Sequence, residues 1–134
     1  MRLLLDTHVV LWQLGGTRAL GPEATAAIGA AEELRYSSVS FAEIGIKVAV
    51  GKLTVPDHLY ERVLQAGVQV LGLAPEHGLC VTDLPLHHRD PFDRLLIAQA
   101  LYEGLTIVTA DTRFAEYRVP LVPAVDVSRP PRHA

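Results

Sequence analysis

Short apolar runs alternate with longer stretches of helical pattern along this chain of 134 residues. The apolar runs resemble β-strands, most clearly at residues 2–5, 68–73 and 105–109 and less regularly at 34–38 and 120–123. The stretches between them predict helices at residues 22–31, 40–50, 56–66 and 91–103. Proline begins three of these helices and glycine directly follows three of them, which is the usual asymmetry of helix ends.

The alternation of strands and helices predicts an α/β fold with a mainly parallel central sheet, covered by helices on both faces. From the length we expect a single domain over residues 1–134, with residues 128–134, "SRPPRHA", as a loose tail. Ligands of such sheets bind beyond the carboxyl ends of the strands. Functional side chains are therefore expected where the strands end.

Composition narrows the class of protein. Hydrophobic residues make up 49% of the chain and charged residues 20%, which predicts a folded chain. The single cysteine, Cys80, cannot form an internal disulfide, so we expect a reducing, cytoplasmic location. Asp6 and His8 interrupt the apolar amino terminus, and we expect no signal peptide and no membrane span. With a net charge of −3, the protein would need local cations to bind a polyanion.

Two acids lie at the ends of predicted strands. Asp6 ends the first apolar run, and Asp111 stands two residues after "LTIVT". Because parallel strands end at one edge of a sheet, the two carboxylates can converge on one cleft. The alternative for each is the amino-terminal cap of a helix, a role that Asp fills well.

A third acid lies on a helix face that is otherwise apolar. In "PFDRLLIAQALYEG", helical spacing places Asp93 on the same face as Leu96, Ile97 and Ala100. A carboxylate on such a face is costly unless it is hydrogen-bonded, protonated or bound to a cation. The alternative is capping, with Asp90 as the cap and Asp93 completing a capping box.

Glu43, in "SVSFAEIGIKVAVGKL", is more ambiguous. Its helical spacing by itself favours an exposed ion pair with Lys47, four residues further on. If Asp6, Glu43, Asp93 and Asp111 did meet, two charges about 5 Å apart would repel by roughly 3 kcal/mol at an effective dielectric of about 20. Such a cluster requires cations, and oxygen-only ligands suit Mg²⁺ or Mn²⁺. One or two such ions can promote attack of water on a phosphodiester.

Other motifs are missing or uninformative. The histidines do not form an HExxH motif, and there is no glycine-rich phosphate loop and no G-x-S-x-G sequence. Trp12, among Val9, Val10 and Leu11, is interpreted as part of the core or of a dimer surface rather than as a base-stacking residue.

Four segments together resemble the PIN-domain ribonucleases, in particular the toxin subunits of VapBC-type toxin–antitoxin pairs. They are "LLLDTHVVLW", "SSVSFAEIGIKVAVGKL", "HHRDPFDRLLIAQA" and "LTIVTADTRF". The resemblance implies a three-layer α/β/α fold and an acid cluster that holds Mg²⁺ or Mn²⁺. The implied metal-ligating and catalytic residues are Asp6, Glu43, Asp93 and Asp111.

The resemblance further implies that the protein hydrolyses RNA as the toxin of a type II pair. Thr7 and Thr109 would support the acids, while Lys47 and Arg94 are candidates for contacts with RNA. A small antitoxin is the expected partner, and a homodimer the expected assembly. Two rival functions remain: a non-catalytic binding module with the same fold, and a phosphatase-like or receiver-like α/β domain. Phosphatases of that kind need a second Asp two residues after the first, where this chain has His8.

Overall fold

The computed structural model describes residues 1–87 and 89–126, so the predicted tail at 128–134 lies outside the described residues. The strands are β1 (Arg2–Leu5), β2 (Glu33–Ser37), β3 (Gln69–Leu71), β4 (Thr106–Thr109) and β5 (Leu121–Pro123). The helices are α1 (Thr7–Gly15), α2 (Pro22–Ala30), α3 (Ser38–Ala49), α4 (Leu59–Gln65), α5 (Pro75–Cys80) and α6 (Pro91–Glu103). Two short 3₁₀ segments span Val81–Asp83 and Thr112–Tyr117.

The strands form one sheet in the order β3-β2-β1-β4-β5, and every pairing in it is parallel. In the register, Leu4 of β1 lies between Arg35 of β2 and Ile107 of β4. This confirms the predicted α/β fold. Strands β2 and β3 lie on one side of β1, and β4 and β5 lie on its other side. The carboxyl ends of β1 and β4 therefore flank the point where the strand order reverses. Ligand sites of open α/β sheets form at such a point.

The sheet separates two hydrophobic cores. Because neighbouring strand residues point to opposite faces, Leu3 and Leu5 pack into one core and Leu4 into the other. The first core includes buried residues of α1, α2, α3 and α4, and the second includes Leu96 and Ile97 of α6. Helices therefore cover both faces, which confirms the three-layer α/β/α arrangement.

The helix ends show which sequence signals were reliable. Helix α6 has the predicted bounds, with proline in its first turn and Gly104 after it in the left-handed conformation, at φ 69°. Helices α1 and α5 were not predicted.

Within the described residues, no helix is long and apolar enough to cross a membrane.

Candidate active site

Asp6 lies at the junction of β1 and α1, where it caps the helix. Its Oδ1 accepts a hydrogen bond from the Thr7 amide at 2.7 Å, and its Oδ2 accepts one from the Thr109 hydroxyl at 2.7 Å. Asp6 is thus both a helix cap and a residue that lines a cleft, the two alternatives considered from the sequence. Burial raises the pKa of Asp6, while the hydrogen bonds from Thr109 and Thr7 oppose that rise.

Glu43 projects from α3 toward the same strand ends and is only 4% exposed. Its Oε2 lies 2.6 Å from Lys47 Nζ, and its Oε1 lies 2.8 Å from the Thr7 hydroxyl. That hydroxyl is also 2.8 Å from the Ser40 hydroxyl. The predicted pair with Lys47 exists, but the prediction of an exposed pair was wrong because the carboxylate end is buried. The hydrogen bond from Lys47 to Glu43 raises the pKa of the ammonium group.

Asp93 lies in the first turn of α6, and Asp90 caps that helix. Asp90 Oδ1 accepts hydrogen bonds from the amides of Phe92 at 2.9 Å and Asp93 at 3.2 Å, so the predicted cap at Asp90 is confirmed. Burial is the main cause that raises the pKa of Asp93 to about 7, followed by the negative charges of Asp90, Asp6, Glu43 and Asp111. The carboxylates from four segments therefore share one electrostatic environment.

Asp111 follows β4 and caps the 3₁₀ segment that comes next. Its Oδ1 accepts from the Arg113 amide at 2.9 Å, and its carboxylate pairs with the Arg113 side chain, at 3.0 Å to Nε and 2.7 Å to the terminal nitrogen Nη2. The Thr109 hydroxyl, which donates to Asp6, accepts a hydrogen bond from the Asp111 amide at 3.0 Å. Thr109 thus links the two strand-end acids, consistent with the supporting position predicted for it.

These side chains border one cleft of about 350 Å³. Its lining comprises Asp6, His8, Trp12, Glu43, Lys47, Asp90, Asp93, Ala110, Asp111 and Arg113. All four predicted acids and Lys47 are among them. Thr7 lies just beneath the cleft, where its buried hydroxyl contacts Glu43 and its carbonyl accepts a hydrogen bond from the Tyr36 hydroxyl at 2.8 Å.

Arg94 does not line this cleft, although sequence analysis made it a candidate for RNA contact. Its guanidinium donates to the carbonyls of Pro85 at 2.8 Å, Val81 at 3.3 Å and Leu84 at 3.4 Å. Arg94 therefore attaches the segment before α6 to that helix, and its placement does not support a role in substrate binding.

The donor chemistry of the cleft suits a hard divalent cation, because carboxylate oxygens are the ligands that Mg²⁺ and Mn²⁺ prefer. Burial and the neighbouring acids raise the pKa of Asp93, so its ionised form is disfavoured unless a proton or a cation neutralises it. In residues 1–87 and 89–126, however, no three acidic, histidine or cysteine side chains stand close enough together to hold an ion. The residues fit a metal by chemistry, and ligation by three or more of them would require side-chain movement.

Sequence analysis missed three contributors to the site. Trp12 borders the cleft rather than being wholly core, and Tyr36 and Ser40 are buried hydrogen-bonding groups beneath it. A sequence signal existed for Trp12 alone, since four residues after His8 a helical side chain returns to the same face. The roles of Tyr36 and Ser40 depend on packing between α1, β2 and α3.

Comparison with known proteins agrees with this geometry. A family model described as "PIN domain" matches residues 3–120. Ribonuclease VapC22 of Mycobacterium tuberculosis is 31% identical over 121 residues, which covers 88% of this chain and 93% of that protein.

Two solved structures share the fold. VapBC2 from Rickettsia felis, bound to a DNA fragment from its promoter, aligns with a TM-score of 0.66 at 15% identity, over 90% of this chain and 97% of that chain. FitAcB from Neisseria gonorrhoeae aligns with a TM-score of 0.63 at 23% identity, over 90% and 96% of the two chains. The match over residues 3–120 and the relative at 31% identity establish that this chain belongs to the PIN domain family.

Proposed function

We propose that this protein is a metal-dependent ribonuclease that hydrolyses phosphodiester bonds in RNA and acts as the toxin of a type II toxin–antitoxin pair. The similarity to Ribonuclease VapC22 supports the substrate and the reaction. The position of the acidic cleft at the reversal of strand order supports a reactive site there rather than a purely structural cluster. The match to the PIN domain family also favours this function over a phosphatase-like or receiver-like one.

The observation that carries the proposal is the concentration of negative charge in the cleft. Among the described residues, its lining contains five acidic side chains and two cations, Lys47 and Arg113, so the excess is three negative charges when all five acids are ionised. An anionic phosphodiester would be repelled from such a cleft unless further cations entered it. A bound divalent ion would neutralise the acids and attract the phosphodiester. A metal-dependent nuclease binds a divalent ion and a phosphodiester in the same cleft.

The proposed metal ligands are Asp6, Glu43, Asp93 and Asp111, with Mg²⁺ or Mn²⁺ as the ion and one or two ions bound. When bound, such an ion lowers the pKa of water and neutralises charge on the phosphate. The hydrogen bonds from Thr7 and Thr109 fix the orientation of Asp6.

The cations of the cleft have complementary proposed roles. Lys47 contacts one oxygen of Glu43 and Thr7 contacts the other, and these fixed contacts support a role for the carboxylate in orienting the attacking water. For Arg113, whose side chain is 58% exposed, the proposed role is to bind a neighbouring phosphate of the substrate.

The proposed partners are an RNA substrate, a small cognate antitoxin and a second copy of the chain. The fold neighbours include VapBC complexes from Rickettsia felis and Salmonella typhimurium, in keeping with an antitoxin partner. By analogy, we propose that the antitoxin inserts a segment into the acidic cleft, where the substrate would otherwise bind.

Controlled expression in a bacterial host tests the toxin function. Expression of the parent protein alone should arrest growth, and co-expression of its proposed antitoxin should restore it. Asp6→Asn should relieve the arrest, whereas Asp57→Asn, which changes an exposed acid outside the cleft, should not. If Asp6→Asn is as toxic as the parent at equal abundance, the acidic cleft is not the origin of toxicity.

A further inference from the structure

We propose that Trp12 forms a stacking site for a nucleobase of the RNA, in the nucleotide next to the phosphate that is cleaved. This inference rests on the proposed function and extends it from the reacting phosphate to the neighbouring base. It also reverses the interpretation of Trp12 from sequence, which assigned the residue to the core or a dimer surface.

The position of Trp12 on α1 brings it beside the acids. Because Asp6 caps α1, the side chains of His8 and Trp12 leave the helix one turn apart on the face next to the cleft. Their rings lie 6.1 Å apart at an interplanar angle of 25°. By contrast, Val9, Val10 and Leu11 between them are buried, so the core is filled by these neighbours and Trp12 remains partly exposed.

A second groove, of about 400 Å³, adjoins the acidic cleft. His8 and Trp12 line both, so the two form one continuous surface. The remainder of the second groove is apolar or uncharged, and its main contributors are Leu11, Thr17, Leu53, Thr54, Val55 and Pro56. Such a lining suits a nucleobase, whereas the acidic cleft suits a metal ion and a phosphate.

Arg18 supplies the charge that a stacked nucleotide requires. Its guanidinium lies 4.7 Å from the centroid of the Trp12 ring, and the residue is exposed. A cation at this distance shows that this ring face has room for a group above it. Single-stranded nucleic acids bind by this combination of an aromatic platform for bases and nearby cations for the backbone. An RNA base can take the place of Arg18 on the indole while Arg18 turns to the adjoining phosphate.

The chain offers a direct reporter, because Trp12 is its only tryptophan. The test titrates the parent protein in millimolar Ca²⁺, a hard divalent ion that supplies the positive charge the cleft needs, with a short single-stranded RNA and follows Trp12 fluorescence. A matched abasic oligonucleotide of the same length serves as the control, and anisotropy of a labelled RNA measures binding independently. Stacking predicts saturable quenching by RNA, with little quenching and weaker binding for the abasic strand.

The kinetics of RNA cleavage provide a second test of the stacking site. Removing one stacked base should weaken binding by about 5- to 100-fold, so Trp12→Leu should raise KM by that factor with kcat unchanged. Trp12→Phe keeps an aromatic ring and should restore most of the affinity, which separates stacking from a loss of packing. Arg18→Gln should also raise KM and weaken its dependence on salt.

The contrary results distinguish a failure of the stacking site from a failure of the proposed function. If bound RNA leaves Trp12 fluorescence unchanged, or the abasic strand quenches equally, no base stacks there. If the proposed antitoxin quenches Trp12 and RNA does not, the groove is a protein-binding site and the inference is wrong. If Trp12→Leu cleaves RNA with the parental KM, only the stacking site is refuted. If the parent neither binds nor cleaves RNA, the proposed function itself fails.

Discussion

Replacement of Asp93 by Asn separates a strained member of an acid cluster from a simple helix cap, because the two roles have opposite effects on stability. The ionised carboxylate is disfavoured by burial and by four neighbouring acids. Asparagine has nearly the same shape without the charge. We therefore expect Asp93→Asn to be more stable than the parent at pH 8 in EDTA.

The magnitude follows from the pKa of the folded state. At 1.36 kcal/mol per pKa unit, a rise from 3.8 to about 7 sets an upper limit of about 4 kcal/mol on the destabilisation. The side chain is partly exposed, and solvent screening reduces this to about 1–2 kcal/mol. The favourable interaction with the amino terminus of α6 offsets about 0.5 kcal/mol of it. A net gain of about 1 kcal/mol corresponds to an increase of about 3–5 °C in Tm for a chain of this size.

The pH dependence has a definite sign. Because the folded-state pKa of Asp93 is higher than the unfolded one, the folded protein binds the proton more tightly and its stability falls as pH rises. The loss develops between about pH 4 and pH 7, the two pKa values concerned. Asp93→Asn lacks this contribution. Parent and variant should therefore melt together at pH 4 and separate progressively up to pH 8.

The assay is a set of thermal melts of both proteins at several pH values in EDTA, repeated at pH 8 in millimolar Mn²⁺. Metal should stabilise the parent by RT ln(1 + [metal]/Kd) and the variant by much less. Asp57→Asn is the matched control, because it removes an exposed acid outside the cleft. If Asp93→Asn melts below the parent at pH 8 in EDTA and gains as much from Mn²⁺, Asp93 is a cap and not part of a metal site.

Four further substitutions test the remaining assignments. Glu43→Gln should lower kcat by at least about 100-fold with little change in Tm. Lys47→Gln should instead lower the unfolding free energy in urea by about 1–3 kcal/mol, because it leaves a buried carboxylate without its cation. Arg113→Gln should leave the urea midpoint unchanged and raise KM for RNA, most strongly at low salt. Arg94→Gln should lower the unfolding free energy by about 1–3 kcal/mol without changing kcat, since carbonyls before α6 lose their donor. The assignment of Glu43 is contradicted if Glu43→Gln keeps the parental activity. Those of Lys47 and Arg94 are contradicted if their variants are as stable as the parent, and that of Arg113 if KM is unchanged.

The fold could be predicted largely because its strands and longer helices carry local signals. Helix α6 has proline in its first turn and Gly104 at its end, and its bounds agree with the prediction. Helix α1 could not be identified in this way. It begins immediately after β1, and its buried Val9, Val10 and Leu11 form a continuous apolar run without a 3.6-residue period.

The candidate site was predictable where strand ends determine it. Asp6 and Asp111 were identified from their positions after apolar runs, and parallel pairing brings the ends of β1 and β4 together. Glu43 was not predictable from helical spacing, because its burial results from α1 packing against α3, which places Thr7 against its carboxylate. The resemblance to PIN-domain ribonucleases supplied what local spacing could not.

We propose that the acidic cleft hydrolyses RNA only when a divalent ion is bound. The most direct measurement is the rate of cleavage of a labelled single-stranded RNA as Mn²⁺ or Mg²⁺ is raised from none, in EDTA, to millimolar concentrations, for the parent and for Asp6→Asn purified identically. We predict no cleavage in EDTA, a saturable increase with metal for the parent, and a rate at least about 100-fold lower for Asp6→Asn at every concentration. Undiminished cleavage in EDTA by protein free of contaminating nuclease, or equal rates for the two proteins, would contradict the claim.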